Sequence, residues 1–377
     1  MRCRILCVLC LPLALPSLCC GDRYEPENPY DPDAAHLDFD GDGVPNGEDG
    51  DPTDRNCGLT DDDVENCGEC GHRCADEYPH AVVKCSGGEC SATGCSSGWS
   101  DVNGDLGSEG GDGCECENLH VNDSGYDECD SWNGRGGPYV LVPGATFWQG
   151  CRDDLNGSWG CSSEEKPQHE VHLTSYWIDV HEVTQAEYQA FGNDTGHRAP
   201  SCDWDPSGTP DHPVVCVSWD DLRAYCQWAG GDLPTEAQWE YAARGPMNDA
   251  DDYAAFPWGS NEIDCDHAVI DEGGAGCGTG GAWPACSKQD GNSPFRLCDM
   301  AGNVWEWCLD WYSGSYYGDE TWPRTDPAGP GSGSSRVLRG GSLHYYPQFA
   351  RAAYRHLYAP TSRYDDFGGR CARPGQP

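Results

Sequence analysis

Residues 233–245 read Leu233-Pro-Thr-Glu-Ala-Gln-Trp-Glu-Tyr-Ala-Ala-Arg-Gly245. After Pro234, the Thr235 hydroxyl can accept from the helix's third amide while Gln238 reaches back to the Thr235 amide, which is the pairing of a capping box. A helix therefore starts here and turns Trp239, Ala242 and Ala243 inward. Two more helices are signalled upstream. Thr184 offers an N-cap with Glu187 three residues on, and a helix from Ser218 puts Leu222, Tyr225, Cys226 and Ala229 on one face. Val171-His-Leu173 and Tyr176-Trp-Ile178-Asp-Val180 alternate with period two and read as strands. Beyond residue 245 Gly and Pro recur and no long helix is visible, so the rest is expected to be loops pinned by small sheets. The expected class is α+β with much loop, stabilised by cross-links and bound ions more than by regular structure.

The 377 residues are 37% hydrophobic with 15 Trp, enough to fill one sizeable core. Against 22 basic residues stand 64 acidic ones, a net charge of −42 that repels nucleic acid and anionic lipid and suits multivalent cations, calcium above all. The charge is uneven. Residues 21–135 carry 30 acidic against 5 basic residues, which marks the N-terminal part as a different kind of object.

The 26 cysteines point to an oxidising compartment. Arg2 and Arg4 precede an apolar run from Ile5 to Leu15, long enough for a signal peptide over residues 1–20 and too short to span a membrane. The run stops at Ser17-Leu18-Cys19-Cys20-Gly21, so membrane attachment through a lipidated Cys19 or Cys20 is expected, with simple cleavage and release as the alternative; neither cysteine follows a small Gly, Ala or Ser. The expected location is secreted or on the surface of a bacterial cell, including its outer membrane. The acidic, Pro-rich stretch Asp22–Asp33 would serve as a solvated tether.

From Asp38 the chain reads Asp-Phe-Asp-Gly-Asp-Gly-Val-Pro-Asn-Gly-Glu-Asp. Asp38, Asp40, Asp42, Asn46 and Asp49 fall at positions 1, 3, 5, 9 and 12 of a calcium loop, with Gly43 at the sharp turn and the Val44 carbonyl between. The pattern resembles thrombospondin type-3 repeats, and Pro45 with Asp at position 12 favours that form over a helix-loop-helix hand. Cys57 to Cys129 holds ten cysteines with little apolar periodicity, so disulfides must hold it. The Cys67-x2-Cys70 spacing suits zinc, but in an exported chain the disulfide reading is favoured. The expected division is a signal peptide at 1–20, an acidic calcium-loop segment at 21–56, a cysteine-rich module at 57–136 and a folded domain at 137–377.

Seven segments in order carry a resemblance: Glu182-Val-Thr-Gln185; Pro213-Val-Val-Cys-Val-Ser-Trp219; residues 233–245; Pro257-Trp-Gly259; Asp299-Met-Ala-Gly-Asn-Val-Trp-Glu-Trp307; Arg336-Val-Leu-Arg-Gly-Gly-Ser342; and Gly368-Gly-Arg-Cys371. Over about residues 138–375 the chain resembles the formylglycine-generating (sulfatase-modifying factor) superfamily. The resemblance implies a fold related to C-type lectins. It implies calcium held by the side chains of Asp299 and Glu306 and the carbonyls of Gly302 and Val304; the alternative is that the two carboxylates pair with arginines. It places a second calcium near Ala268–Ile270, where the expected Asn is absent and the site is lost or altered. It also implies a disulfide between Cys226 and Cys371.

The enzymes of this superfamily bind copper through two cysteines five residues apart, just after the Arg-Gly-Gly-Ser segment, since soft thiolates hold Cu(I). Here that register gives Tyr345 and Ala350, and no cysteine occurs between Cys308 and Cys371. No copper is expected. His344, Tyr345 and Tyr346 are candidates for a rebuilt site, or for the wall of a vacant or ligand-binding cleft, which a single His favours. The expected function is a calcium-stabilised surface binding domain or pseudoenzyme for an unknown extracellular ligand or protein. The alternative is a metal-dependent oxidoreductase, either one of residual formylglycine-generating activity or one with non-haem iron, as in relatives from thiohistidine biosynthesis. Those draw iron ligands from a helical partner domain, and no such domain is visible in this sequence.

Overall fold

The computed structural model describes residues 74, 81–86, 89–97, 99–100, 116–117, 120–121, 127–129, 131–132, 135–246 and 253–375. The signal segment, the Asp38–Asp49 loop, Cys67 and Cys70 lie outside the described residues. The chain divides into two units, residues 1–97 with 105–114, and residues 98–104 with 115–377. In the first, strand β1 (Ala81–Ser86) pairs antiparallel with β2 (Glu89–Cys95). A Cys74–Cys90 disulfide closes onto this hairpin, whose buried cluster is Cys74 and Cys85 with Val83 and Cys90 against it. Cross-linking stands in for a core there.

The second unit opens with three short strands, β3 (Trp99–Ser100), β4 (Cys116–Glu117) and β7 (Ser131–Trp132), paired in that order. An antiparallel five-stranded sheet runs β16 (Ala372–Pro374), β11 (Tyr176–Asp179), β8 (Tyr139–Val142), β6 (Asp127–Cys129), β5 (His120–Val121). A hairpin joins β9 (Ala145–Gln149) to β10 (His169–Leu173). A second sheet has the order β14 (His356–Tyr358), β13 (Arg336–Arg339), β12 (Trp305–Trp311), β15 (Phe367–Gly368), with β12 and β15 parallel. Helices α1 (Gln185–Thr195), α2 (Trp219–Trp228) and α3 (Glu236–Arg244) each begin with a complete capping box, at Thr184/Glu187, Ser218/Asp221 and Thr235/Gln238. The fold is thus α+β with few helices and much loop.

Alternation along β11 predicts one buried face, yet all four of its residues are buried. The reason is a second layer. Tyr176 and Ile178 enter the main core while Trp177 packs with Cys129 and Tyr139 on the other side.

Strand β12 is covered on both faces. Trp305 and Trp307 join the core built by α1, α2 and β15. Glu306, Cys308 and Asp310 face α3 and are just as buried. A buried carboxylate must find donors, and α3 supplies them. The Trp239 indole donates to Glu306 Oε2 at 2.8 Å, and the Glu236 amide donates to Asp310 Oδ2 at 2.8 Å. Arg370, fully buried, completes the pairing. Its Nε and Nη2 donate to the two Glu306 oxygens at 2.7 and 2.8 Å, and its remaining donors reach the carbonyls of Asp179, Val180 and Cys298. Parallel pairs join Arg355 to Glu236, Arg339 to Glu240 and Arg351 to Glu165.

Cys226 of α2 is bonded to Cys371, and Cys265–Cys277 and Cys286–Cys298 each close a loop of 12 residues. Cys308 is free and buried, its place on β12 turning the thiol into the main core. Removing the Cys226–Cys371 bond frees a loop of 145 residues. Chain entropy puts the cost at about 4–5 kcal/mol, so Cys226→Ser with Cys371→Ser should melt well below the parent in the same calcium-containing buffer, as read by calorimetry. An unchanged melting temperature would remove the clasp from the account.

Burial, with the Glu236 charge beside it, pushes the Asp310 carboxyl up to about 8. A carboxyl raised above its unfolded value of about 3.9 stabilises the fold while protonated. That contribution is complete below about pH 4 and is lost as pH rises toward about 8. The melting temperature of Asp310→Asn should therefore fall less between pH 5 and 8 than that of the parent; parallel pH profiles would contradict this assignment.

Candidate functional site

Two features of the second unit gather polar groups around backbone that loops rather than pairs. The first is the turn entering β12. Asp299, Gly302 and Asn303 all have positive φ, of 55°, 83° and 58°. At Gly302 a Cβ would lie 2.5 Å from the Val269 carbonyl oxygen, so only glycine fits. Glu182, which sits just before α1, clamps this turn from below. Its Oε2 accepts from Asn303 Nδ2 at 2.8 Å and its Oε1 from the Val304 amide at 3.2 Å. Asp299 Oδ2 accepts from the Cys286 amide at 2.7 Å. The Gly302 amide donates to Gly340 and the Asn303 amide to Val269, while the carbonyls of Gly302 and Val304 receive none of these bonds.

Glu182, Asp299 and Glu306 are all buried near one guanidinium, that of Arg370. Burial first, and then the charges of Asp299 and Glu306, hold Glu182 well above the usual carboxylate range; burial also raises Asp299. Three acids against one base leave a deficit of positive charge. Of the four residues expected to hold calcium, Glu306 already gives both oxygens to Arg370, whereas Asp299 and the two carbonyls remain available to a hard cation. The donor chemistry fits calcium.

The second feature is a cleft of about 450 Å³, walled by Asp203, Trp204, Asp205, His212, His344 and Asp365 among others. Gln185, buried at the start of α1, fixes its acidic wall: Nε2 donates to the Asp203 carbonyl at 3.2 Å and Oε1 accepts from the Asp205 amide at 2.8 Å. A Cys202–Cys216 bond closes that loop. His344 Nε2 lies 3.4 Å from Asp365 Oδ2 across the opposite wall. Behind it Ser342 Oγ donates to buried Asp366 at 2.6 Å, a carboxyl raised chiefly by burial.

The four positions singled out near residue 345 separate in space. His344 lines the cleft. Tyr345 turns its ring onto Trp305, with centroids 5.2 Å apart, and Tyr346 is 58% exposed. Ala350 is buried among Ala255, Phe256, Ala268, Ile270 and Ala301, where a methyl group replaces any ligand. The residues do not fit copper. Among the described residues the free thiol is that of Cys308, and burial pushes it well above its usual range. Near Ala268–Ile270, the Ile270 carbonyl accepts from the Cys277 amide and the Cys265–Cys277 bond brackets the loop.

Sequence reasoning missed Asp203, Trp204, Asp205 and Asp365. The signal was present in Cys202-Asp-Trp-Asp205, an acidic and aromatic run beside a cysteine, and in Asp365-Asp366 just before the terminal Gly-Gly-Arg-Cys segment.

Comparison with known proteins gives the following. The sequence model described as the sulfatase-modifying factor enzyme 1-like domain matches residues 131–374. The formylglycine-generating enzyme of Streptomyces coelicolor is 34% identical over 301 residues, covering 62% of this chain and 88% of its own. The hercynine oxygenase of Mycolicibacterium smegmatis is 32% identical over 280 residues, covering 63% of this chain and 62% of its own. The structure of PvdO from Pseudomonas aeruginosa superposes with a TM-score of 0.52 at 24% identity, covering 68% of this chain and 97% of that one, and shows the same fold.

Proposed function

Because the chain belongs to the sulfatase-modifying factor enzyme 1-like family yet has Tyr345 and Ala350 where a copper-binding pair would stand, we propose that it is a non-catalytic binding domain of an exported protein. One observation carries the reading: the position aligned with the second thiolate is sealed in an apolar cluster, while the neighbouring cleft stays open and acidic. Asp203, Asp205 and Asp365 stand around Trp204 in that cleft. Carboxylates beside an indole favour a cationic side chain, held by charge and by the ring face. The ligand is therefore a basic segment of an extracellular protein. Export and surface attachment through Cys19 or Cys20 are part of the same proposal, supported by the disulfides and by the composition of residues 1–20. No helix among the described residues is long and apolar enough to cross a membrane.

Calcium would be held by Asp299 with the carbonyls of Gly302 and Val304, Glu306 orienting the site through Arg370. Bound there, it supplies positive charge that the three buried acids lack. A second ion is proposed at Asp38, Asp40, Asp42, Val44, Asn46 and Asp49. Iron or copper chemistry is the competing reading. His212 and His344 both face the cleft, but they do not converge with a carboxylate into a three-ligand cluster.

A short Arg-containing peptide bearing the cysteine of a sulfatase motif separates these readings. The purified protein should bind it without converting the thiol to an aldehyde by mass spectrometry, even with copper and oxygen supplied, and elemental analysis should find no stoichiometric copper or iron. Asp205→Asn with Asp365→Asn should weaken binding by about tenfold, and salt should weaken it for the parent. Conversion of the thiol, or binding indifferent to both substitutions, sinks the proposal.

For calcium, titration calorimetry on the full chain should count one site fewer in Asp40→Ala/Asp42→Ala and one fewer in Asp299→Asn. Glu306→Ala is the wrong probe, since it strands Arg370 in the core. If chelator lowers the melting temperature of Asp299→Asn as much as that of the parent, the ion does not sit in this turn.

A further inference from the structure

The disulfide Cys151–Cys161 spans 10 positions of the chain at the surface, and its two sulfurs stand in different surroundings. Cys151 is buried and Cys161 is partly exposed. A thiolate that attacks a disulfide strikes the sulfur it can reach and expels the other. Solvent reaches Cys161, so Cys151 is the sulfur expelled.

The expelled sulfur is met by donors. The Tyr253 hydroxyl lies 3.4 Å from Cys151 Sγ and Arg351 Nη1 lies 3.7 Å from it, both placed to donate. The phenol also reaches Asn156 Oδ1 at 3.1 Å, so its one proton can turn to the sulfur when charge appears there. Glu165 has a carboxylate oxygen within 4.8 Å of both sulfurs, but Arg351 holds that carboxylate by two bonds of 2.7 and 2.8 Å. The loop's other acids are matched as well, Asp153 by Lys166 and Asp154 by Arg152. An approaching thiolate therefore meets a locally balanced surface on a chain of net charge −42.

Five disulfides lie between Cys151 and Cys371, and at the other four no sulfur has a donor. Cys265 and Cys277 face the carbonyl oxygens of Glu272 and Ala268, at 3.8 and 3.4 Å. Cys202 and Cys216 have an Asp203 carboxylate oxygen within 4.8 Å. Oxygen acceptors oppose a thiolate. Cys226–Cys371 is buried at both ends, out of reach of an attacker. Hydrogen bonds and a guanidinium beside a sulfur lower the cost of its thiolate, and a better leaving thiolate departs faster.

We infer that Cys151–Cys161 is a thiol–disulfide exchange site whose substrate is a dithiol. The first thiolate of the dithiol bonds to Cys161 Sγ, the Cys151–Cys161 bond breaks, and its electron pair leaves on Cys151, held by Tyr253 and Arg351. The second thiolate then attacks the substrate sulfur of that mixed disulfide and expels the Cys161 thiolate. Two electrons pass from the dithiol to the protein, and the protons lost by the two substrate thiols end on Cys151 and Cys161. This activity goes beyond the binding role proposed for the cleft and does not depend on it.

The test treats the full chain with limiting dithiothreitol, stops the reaction at intervals by alkylation and maps each cysteine by mass spectrometry. Cys151–Cys161 should open ahead of Cys202–Cys216, Cys265–Cys277 and Cys286–Cys298, while a Cys226–Cys371 bond that stays closed reports an intact fold. With glutathione, a monothiol that stops at the first step, the adduct should sit on Cys161 and the alkyl group on Cys151. Tyr253→Phe keeps the ring against Arg244 and removes the donor. It should slow opening about threefold with the Cys265–Cys277 rate unchanged. A tyrosine that only braced the loop would give the opposite sign, because loosening the loop exposes the bond and speeds its opening. Glutathione on Cys151, opening no faster than that of Cys265–Cys277, or an equal or faster rate in Tyr253→Phe would each overturn the inference.

Discussion

The second unit is arranged around a strand, β12, whose residues Trp305 to Cys308 are buried on both faces. With indoles on one side of β12 and Glu306, Cys308 and Asp310 on the other, the polar side must be matched from elsewhere in the chain. Glu306 is matched by the Arg370 guanidinium and the neutral Trp239 indole. Buried ion pairs contribute little net stability, because desolvation offsets the attraction, but leaving one partner alone costs about 3–5 kcal/mol. The pairs Glu306–Arg370, Glu236–Arg355, Glu240–Arg339 and Glu165–Arg351 therefore act by exclusion. Any loop arrangement that misplaces one guanidinium is penalised, which matters in a fold with so little regular structure.

The same constraint shapes the acidic turn. Glu182, Asp299 and Glu306 share Arg370, and no second guanidinium reaches them. The calcium proposed for this turn would complete that balance, because main-chain carbonyls at Gly302 and Val304 could join its shell. On that proposal structure and ion binding would be one problem, which the open cleft next door does not share.

What the sequence made legible follows from how local each signal is. Helices α1 and α3 were readable because a hydroxyl and a reciprocal Glu or Gln sit three residues apart, and α2 was found from Ser218 and its apolar face although its partner is Asp221. The loss of the thiolate pair was readable from register alone. The arginine partners were not, because Arg370 meets Glu306 across 64 positions and Arg351 meets Glu165 across 186. Trp177 escaped the alternation rule because a second layer covers its side of β11. The cleft stayed hidden for a similar reason: Asp203 and Asp365 are brought to one cavity only by the fold.

The segment from Phe367 to Pro374 supplies the parallel partner of β12, the guanidinium for Glu306, one half of the long disulfide and the edge strand against β11. Eight consecutive residues thus meet four separate requirements of the domain. Without them Glu306 would keep the Trp239 indole as a donor but lose the guanidinium that balances its charge. Truncation just before Phe367 would therefore remove all four at once, so losing that one short segment opens the domain to proteases.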